Sequence, residues 1–279
     1  MSALLALSAS LFWGGSDFLG GTLSRRLSPL TVTAWADAVV LVALFIAAIA
    51  TGQLHFDPTI IGWGGAAGIA GLIGVLAFYR ALADGVMGVV SPIAGLGVAI
   101  PVLVGVALGN RPDTAQIIGM VVGVIGIVLV SASGGSSRPM DARILGLAAV
   151  AAAGFGTYFV CVNQSEPHGT LMTLLMMRIA ALAVILGIRV FGGRRLALSP
   201  RDLPLVSVIG GLDMLANGAF ALATSTGQLA VVSVLSSLYP AVTALLARIV
   251  HDERLGRRQA VGVVAAIIAI VLLAAGPSA

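Results

Sequence analysis

Asp17, Asp37 and Arg80 are charged residues inside otherwise long apolar runs. A lone Asp or Arg near the centre of a bilayer costs about 2.5 to 3.5 kcal/mol on insertion scales, so each needs water or a partner. Counting inward at 1.5 Å per residue places Asp17 and Asp37 roughly 10 Å deep, and the Arg80 stem extends to the same level. The three are expected to form one charge cluster. Two carboxylates beside one guanidinium leave an excess negative charge, which suits a proton-coupling cycle; a static ion pair tying three helices together would use the same residues. Arg178 is a further intramembrane cation, able to hold a substrate carboxylate or to pair with Asp213. Asp213 and Asn217 are four residues apart, as are Trp13 and Asp17, so each pair shares a helix face.

Prolines inside apolar segments add a second signal. Only Pro92, Pro101 and Pro240 of the eleven prolines fall well inside such segments, where each removes a backbone hydrogen bond and kinks its helix unless a cavity or neighbour satisfies the freed carbonyl. Ser91, Ser233, Ser237 and Tyr239 on the same segments offer hydrogen bonds to a polar solute. Trp13 and Tyr79 complete the candidate set, although packing and interfacial anchoring account better for such aromatics, Tyr158 and Tyr239 included. His55, His168 and His251 lie in connections or at helix ends without metal-ligand spacing, and no GxSxG, HExxH or phosphate loop occurs. No metal and no cofactor is expected. Asp17 with Asp37 leaves an intramembrane enzyme as the main rival class to a carrier.

The elements that must position these residues follow from composition. The chain has 279 residues, 59% of them hydrophobic and 9% charged, with a mean hydropathy of +1.09. That is more apolar surface than a water-soluble domain buries, so lipid is the solvent. The single cysteine, Cys161, excludes an intrachain disulfide. A net charge of +4, spread over short connections, makes nucleic acid an improbable partner. Ten segments are long and apolar enough to span, at roughly 3 to 23, 30 to 51, 61 to 82, 87 to 108, 114 to 132, 143 to 163, 170 to 191, 203 to 225, 228 to 249 and 258 to 275. Their continuous apolarity predicts helices, not barrel strands. The first segment reads as a helix and not as a cleaved signal, since no basic stretch precedes it.

The segments repeat. Asn110, Arg111, Gln116 and Gly119 recur as Glu253, Arg254, Gln259 and Gly262, while Phe78, Ala81, Gly85 and Ser91 recur as Phe220, Ala223, Gly227 and Ser233. A shift within two residues of these aligns Asp37 with Arg178. The chain therefore divides into residues 1–133, a linker at 134–141, and residues 142–279. Five helices per unit is an odd number, so the second unit enters the membrane from the opposite side: an all-α membrane protein of ten transmembrane helices in two inverted five-helix repeats, with a solute site near the midplane. Kinked helices at matching positions, here segments 4 and 9, point to that site. Connections after odd-numbered segments hold or border thirteen of the fifteen arginines, all but Arg111 and Arg178. The positive-inside rule then puts the odd connections in the cytoplasm.

Leu11-Phe12-Trp13-Gly14-Gly15-Ser16-Asp17-Phe18, Phe78-Tyr79-Arg80-Ala81-Leu82, Glu253-Arg254 and the doubled QxxG helices resemble the ten-helix EamA branch of the drug/metabolite transporter superfamily over essentially the whole chain. The resemblance implies two EamA units in the plasma membrane and export of amino acids, related metabolites or drugs by alternating access. It implies termini in the cytoplasm, against the arginine count, and Asn110 stands where relatives carry glutamate. A lipid flippase or channel on the same fold is the remaining alternative. Gly-xxx-Gly pairs such as Gly64/Gly68 and Gly119/Gly123 allow close helix approach. Segments 5 and 10, free of interior charge and proline, are expected at the periphery and at a homodimer contact.

Overall fold

The computed structural model describes residues 2–55, 57–107, 113–131, 141–165, 168–193, 195–226, 235–236, 238–253 and 256–275. Regular structure among these residues is entirely helical. In chain order the helices are α1 (Ser2–Leu23), α2 (Pro29–Ala50), a π-helical turn (Ile60–Gly64) leading into α3 (Gly65–Asp84), α4 (Met87–Gly95), a 3-10 turn (Leu96–Val98) and α5 (Ala99–Ala107). They continue as α6 (Thr114–Ser131), α7 (Ala142–Ser165), α8 (Thr170–Gly192), α9 (Leu203–Thr226), α10 (Tyr239–His251) and α11 (Arg257–Ala275). Among the described residues six stretches are long and apolar enough to cross a membrane: α1, α2, Ile60–Asp84, α7, α8 and Leu203–Phe220 of α9. Met87–Pro101, Thr114–Gly126 and Ala260–Leu273 are shorter apolar helical stretches.

Local chemistry sets the ends. Ser28 caps α2 by accepting the Thr31 N–H at 3.1 Å, with Pro29 in the first turn, where its missing N–H costs nothing. Asp113 and Gln116 form a reciprocal box at the start of α6: Asp113 Oδ1 accepts the Gln116 N–H at 2.7 Å and Gln116 Oε1 accepts the Asp113 N–H at 3.1 Å. That box gives the repeated QxxG glutamine a structural role in the first unit. Gly193, at φ +60, closes α8 in the left-handed conformation that glycine adopts without steric cost. Outward faces carry exposed apolar side chains such as Val42, Ile46 and Val124, a surface that lipid solvates and water does not.

Packing respects an exchange of the two units. The pair α1–α9 has its counterpart in α7–α3, α2–α9 in α8–α3, and α1–α10 in α7–α4. The pairs α2–α8, α4–α10 and α6–α11 map onto themselves. Two of these self-mapped pairs run antiparallel. Gly119 of α6 faces Leu272 of α11 and Gly126 faces Gly262, while Ala34 of α2 clusters with Ala181 and Ile185 of α8 and Leu44 with Leu175. Segments 5 and 10, here α6 and α11, thus pack on each other through the Gly119/Gly123 face, and their outer faces, with Val121, Val124, Val261 and Val264, are exposed.

The expected ninth segment differs most. Its described residues are helical at 235–236 and again from Tyr239 to His251, so Pro240 stands in the first turn of the second stretch, where its missing N–H costs nothing. Ser233, Ser237 and most of the expected 134–141 linker lie outside the described residues.

Candidate functional site

Helices α2, α8 and α9 each bring one ionisable side chain to a common point. Arg178 Nη1 donates to Asp37 Oδ1 at 2.7 Å, and Arg178 Nη2 donates to Asp213 Oδ2. The Arg178 Nε is buried without a hydrogen-bond partner among the described residues. Side-chain exposure is 9% for Asp37, 17% for Arg178 and 30% for Asp213, so the group is shielded around Asp37 and open toward Asp213. One turn further along α9, Asn217 Nδ2 donates to the Asp213 carbonyl at 2.7 Å and to its carboxylate at 3.2 Å. Asn217 Oδ1 accepts the Tyr158 hydroxyl from α7 at 3.4 Å. Every polar group here that meets the apolar interior has a charged or hydrogen-bonding neighbour, apart from that one Nε.

Two glycines let these helices come close enough. A Cβ on Gly210 of α9 would lie 2.7 Å from the carbonyl oxygen of Ala36, the residue before Asp37. Its counterpart under unit exchange, Gly68 of α3, presses equally on the carbonyl of Met177, the residue before Arg178. Asp37 and Arg178 each stand eight residues past the first residue of their helix, about 12 Å along it. They are equivalent positions of the repeat, and they touch. The ion pair therefore joins the two units at matching positions.

Asp17 on α1 is half-buried and forms no hydrogen bond or ion pair among the described residues. Its charge acts on Asp213, Tyr79 and Tyr239. One turn before it, Trp13 lies with its ring centroid 5.7 Å from Phe220 and 6.3 Å from Tyr239, the latter edge-on. Asp37 and Asp213 thus flank one cation with Asp17 near Asp213, and full ionisation of the three carboxyls would leave two uncompensated negative charges.

The expected cluster of Asp17, Asp37 and Arg80 does not form. Arg80 pairs with Asp84 one helical turn on, Nε to Oδ2 at 2.8 Å, and is 44% exposed. A carboxylate four residues away on the same helix satisfies it at the surface, and Arg178 takes its place inside. Tyr79 is buried with its ring against Gly20. Ser91 is buried with its hydroxyl unpartnered among the described residues and makes no bond to the charged group. Pro92 lies in α4, the helix gives way to the 3-10 turn after Gly95, and Pro101 stands in the first turn of α5. Phe220, above only a repeat match, and Tyr158 also lie at the site. The signal for Tyr158 was available: it follows Asp17 by the shift that relates Arg178 to Asp37.

The odd-side ends are tied by ion pairs. Arg25 meets Glu253 at 3.3 Å and Arg26 meets Asp202 at 2.6 Å. Glu253 Oε2 also accepts the Gly88 N–H at 3.2 Å, anchoring the first turn of α4. On the other side Asp57 accepts the Thr59 N–H at 2.7 Å and faces His168 Nδ1 at 3.1 Å. The Thr59 backbone N–H, with His168 adding to it, holds the Asp57 carboxyl below the usual carboxylate range. Among the described residues no three His, Cys, Asp or Glu side chains gather as a metal site.

The family model of the EamA-like transporter family matches residues 1–132 and again residues 142–275. A crystal structure of a protein aligns with a TM-score of 0.68 at 18% identity, covering 97% of this chain and 95% of that one, which shows a shared fold. No curated protein sequence matches the chain.

Proposed function

From the premise that the chain belongs to the EamA-like transporter family, and so is a multi-pass membrane transporter, we propose that it is a secondary carrier in the plasma membrane. It exports a small metabolite, amino acid or drug by alternating access, with protons as the coupling ion. The observation that carries this reading is the Asp37–Arg178 ion pair between equivalent positions of the two units. A site on the exchange axis is reached equally from either side when the units trade conformations. The antiparallel course of α2 with α8 and of α6 with α11 supports inverted units, spanning 1–133 and 142–279 around the 134–141 linker. In this account the broken α4–α5 run, α6, α10 and α11 complete ten crossings with the six long helices, the odd connections facing the cytoplasm. The outer faces of α6 and α11 serve a homodimer.

Trp13, Asp17, Tyr239 and Phe220 line the solute path with Asp213, Asn217 and Tyr158. Arg178 is engaged by two carboxylates, so it organises the site and does not capture a substrate carboxylate. Asp17, without a bonded partner among the described residues, carries the exchangeable proton. An intramembrane enzyme would need Asp37 free to share chemistry with Asp17, and Arg178 occupies it. Counterflow in proteoliposomes with labelled amino acids, with and without a pH gradient, tests the reading. Counterflow that responds to the gradient in the wild type and loses that response in Asp17→Asn is expected. Gradient-indifferent counterflow in both proteins removes the proton role, and no counterflow of any labelled solute removes the carrier.

A further inference from the structure

We infer that the odd-side end of α2 and α8 holds one anionic phospholipid, its acyl chains in a groove between the helices and its phosphate on Arg189 and Arg195. The groove encloses about 940 Å³ and runs along the outer surface, apart from the charged group at Arg178. Its depth comes from side-chain size. Ala34 and Ala38 on α2 leave a recess opposite Leu186 on α8, and the floor is closed by Ile185, which is 1% exposed. The far rim is formed by Arg195, Leu196 and Ala197 after α8, held in place because the Trp35 indole N–H donates to the Leu196 carbonyl at 3.0 Å.

The charge at the mouth names the occupant. Arg189 is in the last turn of α8 and Arg195 follows Gly193, both lining the groove. Neither has a carboxylate or hydrogen-bond partner among the described residues, whereas Arg25, Arg26, Arg80 and Arg143 each meet an Asp or Glu. The helix C-terminus favours a cation at Arg189, but Arg195 lies beyond the helix, and two unneutralised guanidinium groups at the rim of an apolar trough match a phosphodiester above two hydrocarbon chains. The trough excludes a soluble anion as its full occupant, because phosphate alone leaves the apolar recess unfilled. The trough stops at the odd-side end of the two helices and does not lead to Asp17, so the lipid is a resident ligand and not cargo.

The test uses the full chain in nanodiscs of phosphatidylcholine with and without phosphatidylglycerol, reading retained lipid by native mass spectrometry. Each surface arginine is expected to favour an anionic headgroup about fivefold, so the two together give phosphatidylglycerol a preference of about thirtyfold over phosphatidylcholine. Arg189→Gln with Arg195→Gln should abolish the preference while leaving the thermal midpoint in phosphatidylcholine unchanged. Ala38→Leu fills the recess without touching either arginine and should also lose the lipid. Equal retention of the two lipids overturns the proposal. So does saturation of the site by inorganic phosphate or glycerol phosphate alone, retention of the preference in the double arginine variant, or protein-dependent scrambling of labelled phosphatidylglycerol.

Discussion

Replacing Arg178 with glutamine removes the cation that two carboxylates share. Asp37 is then left inside with no compensating charge, and its 9% exposure gives water little access. Removing one partner of such a buried pair costs about 3 to 5 kcal/mol, more than the pair is worth against an apolar replacement, because the penalty is the stranded charge. The Asp213 limb is 30% exposed and adds about 1 kcal/mol, the magnitude of a solvent-screened pair. Membrane proteins of this size commonly unfold irreversibly, so the informative readout is the half-life of the folded state in detergent at fixed temperature. A loss of about 4 kcal/mol felt wholly in the unfolding barrier shortens that half-life by roughly a thousandfold. Asp37→Asn combined with Arg178→Gln removes both charges and leaves two amides able to bond to each other. Most of the lost stability should return in that double variant, while counterflow should not. The reasoning is refuted if Arg178→Gln unfolds no faster than wild type, or if the double variant is as labile as the single.

Other outcomes follow from the same geometry. Asp17→Asn should change unfolding by no more than about 0.5 kcal/mol, since Asp17 has no bonded partner among the described residues to lose, while abolishing the dependence of counterflow on pH. Gly210→Ala and Gly68→Ala should each cost about 1 to 3 kcal/mol by thermal unfolding, because a methyl group is driven into a backbone carbonyl that cannot give way. Glu253→Gln weakens both its Arg25 contact and its hold on the Gly88 N–H; with Arg25 27% exposed, a loss of about 1 to 2 kcal/mol in the same assay is expected. Asp57 has a folded-state pKa below its unfolded value, so its stabilisation is present above the unfolded pKa and lost as pH falls through the folded one. Asp57→Asn should therefore lower the thermal midpoint at neutral pH and converge with wild type in acid.

Much of the helical layout was legible because membrane segments announce themselves by length and apolarity. Outside the ninth segment, the observed ends lie within two residues of those expected, since Ser28, Asp113 and Gly193 are cap residues visible as letters. Pairing between helices was less legible. Depth along a helix placed Arg80 level with Asp17 and Asp37, but depth says nothing about which helices become neighbours, and Asp84 was a nearer solution for Arg80 on its own helix. The repeat held the better clue. Its alignment of Asp37 with Arg178 becomes a contact once antiparallel α2 and α8 lie beside the exchange axis, and the same shift carries Asp17 onto Tyr158. The start of the helix at Tyr239 was not legible because segment ends were set from hydropathy, which does not register where the first hydrogen-bonded turn begins.

The central claim is that the two units trade conformations about the Asp37–Arg178 axis, so that one side opens as the other closes. Spin labels in a Cys161→Ala background measure it directly, with one pair at Ser28→Cys and Ala197→Cys on the odd side and another at Gln53→Cys and His168→Cys opposite. In proteoliposomes, a shift in pH or addition of transported solute should lengthen one distance distribution and shorten the other. Two distances that move in the same sense, or stay fixed while counterflow proceeds, would contradict the account.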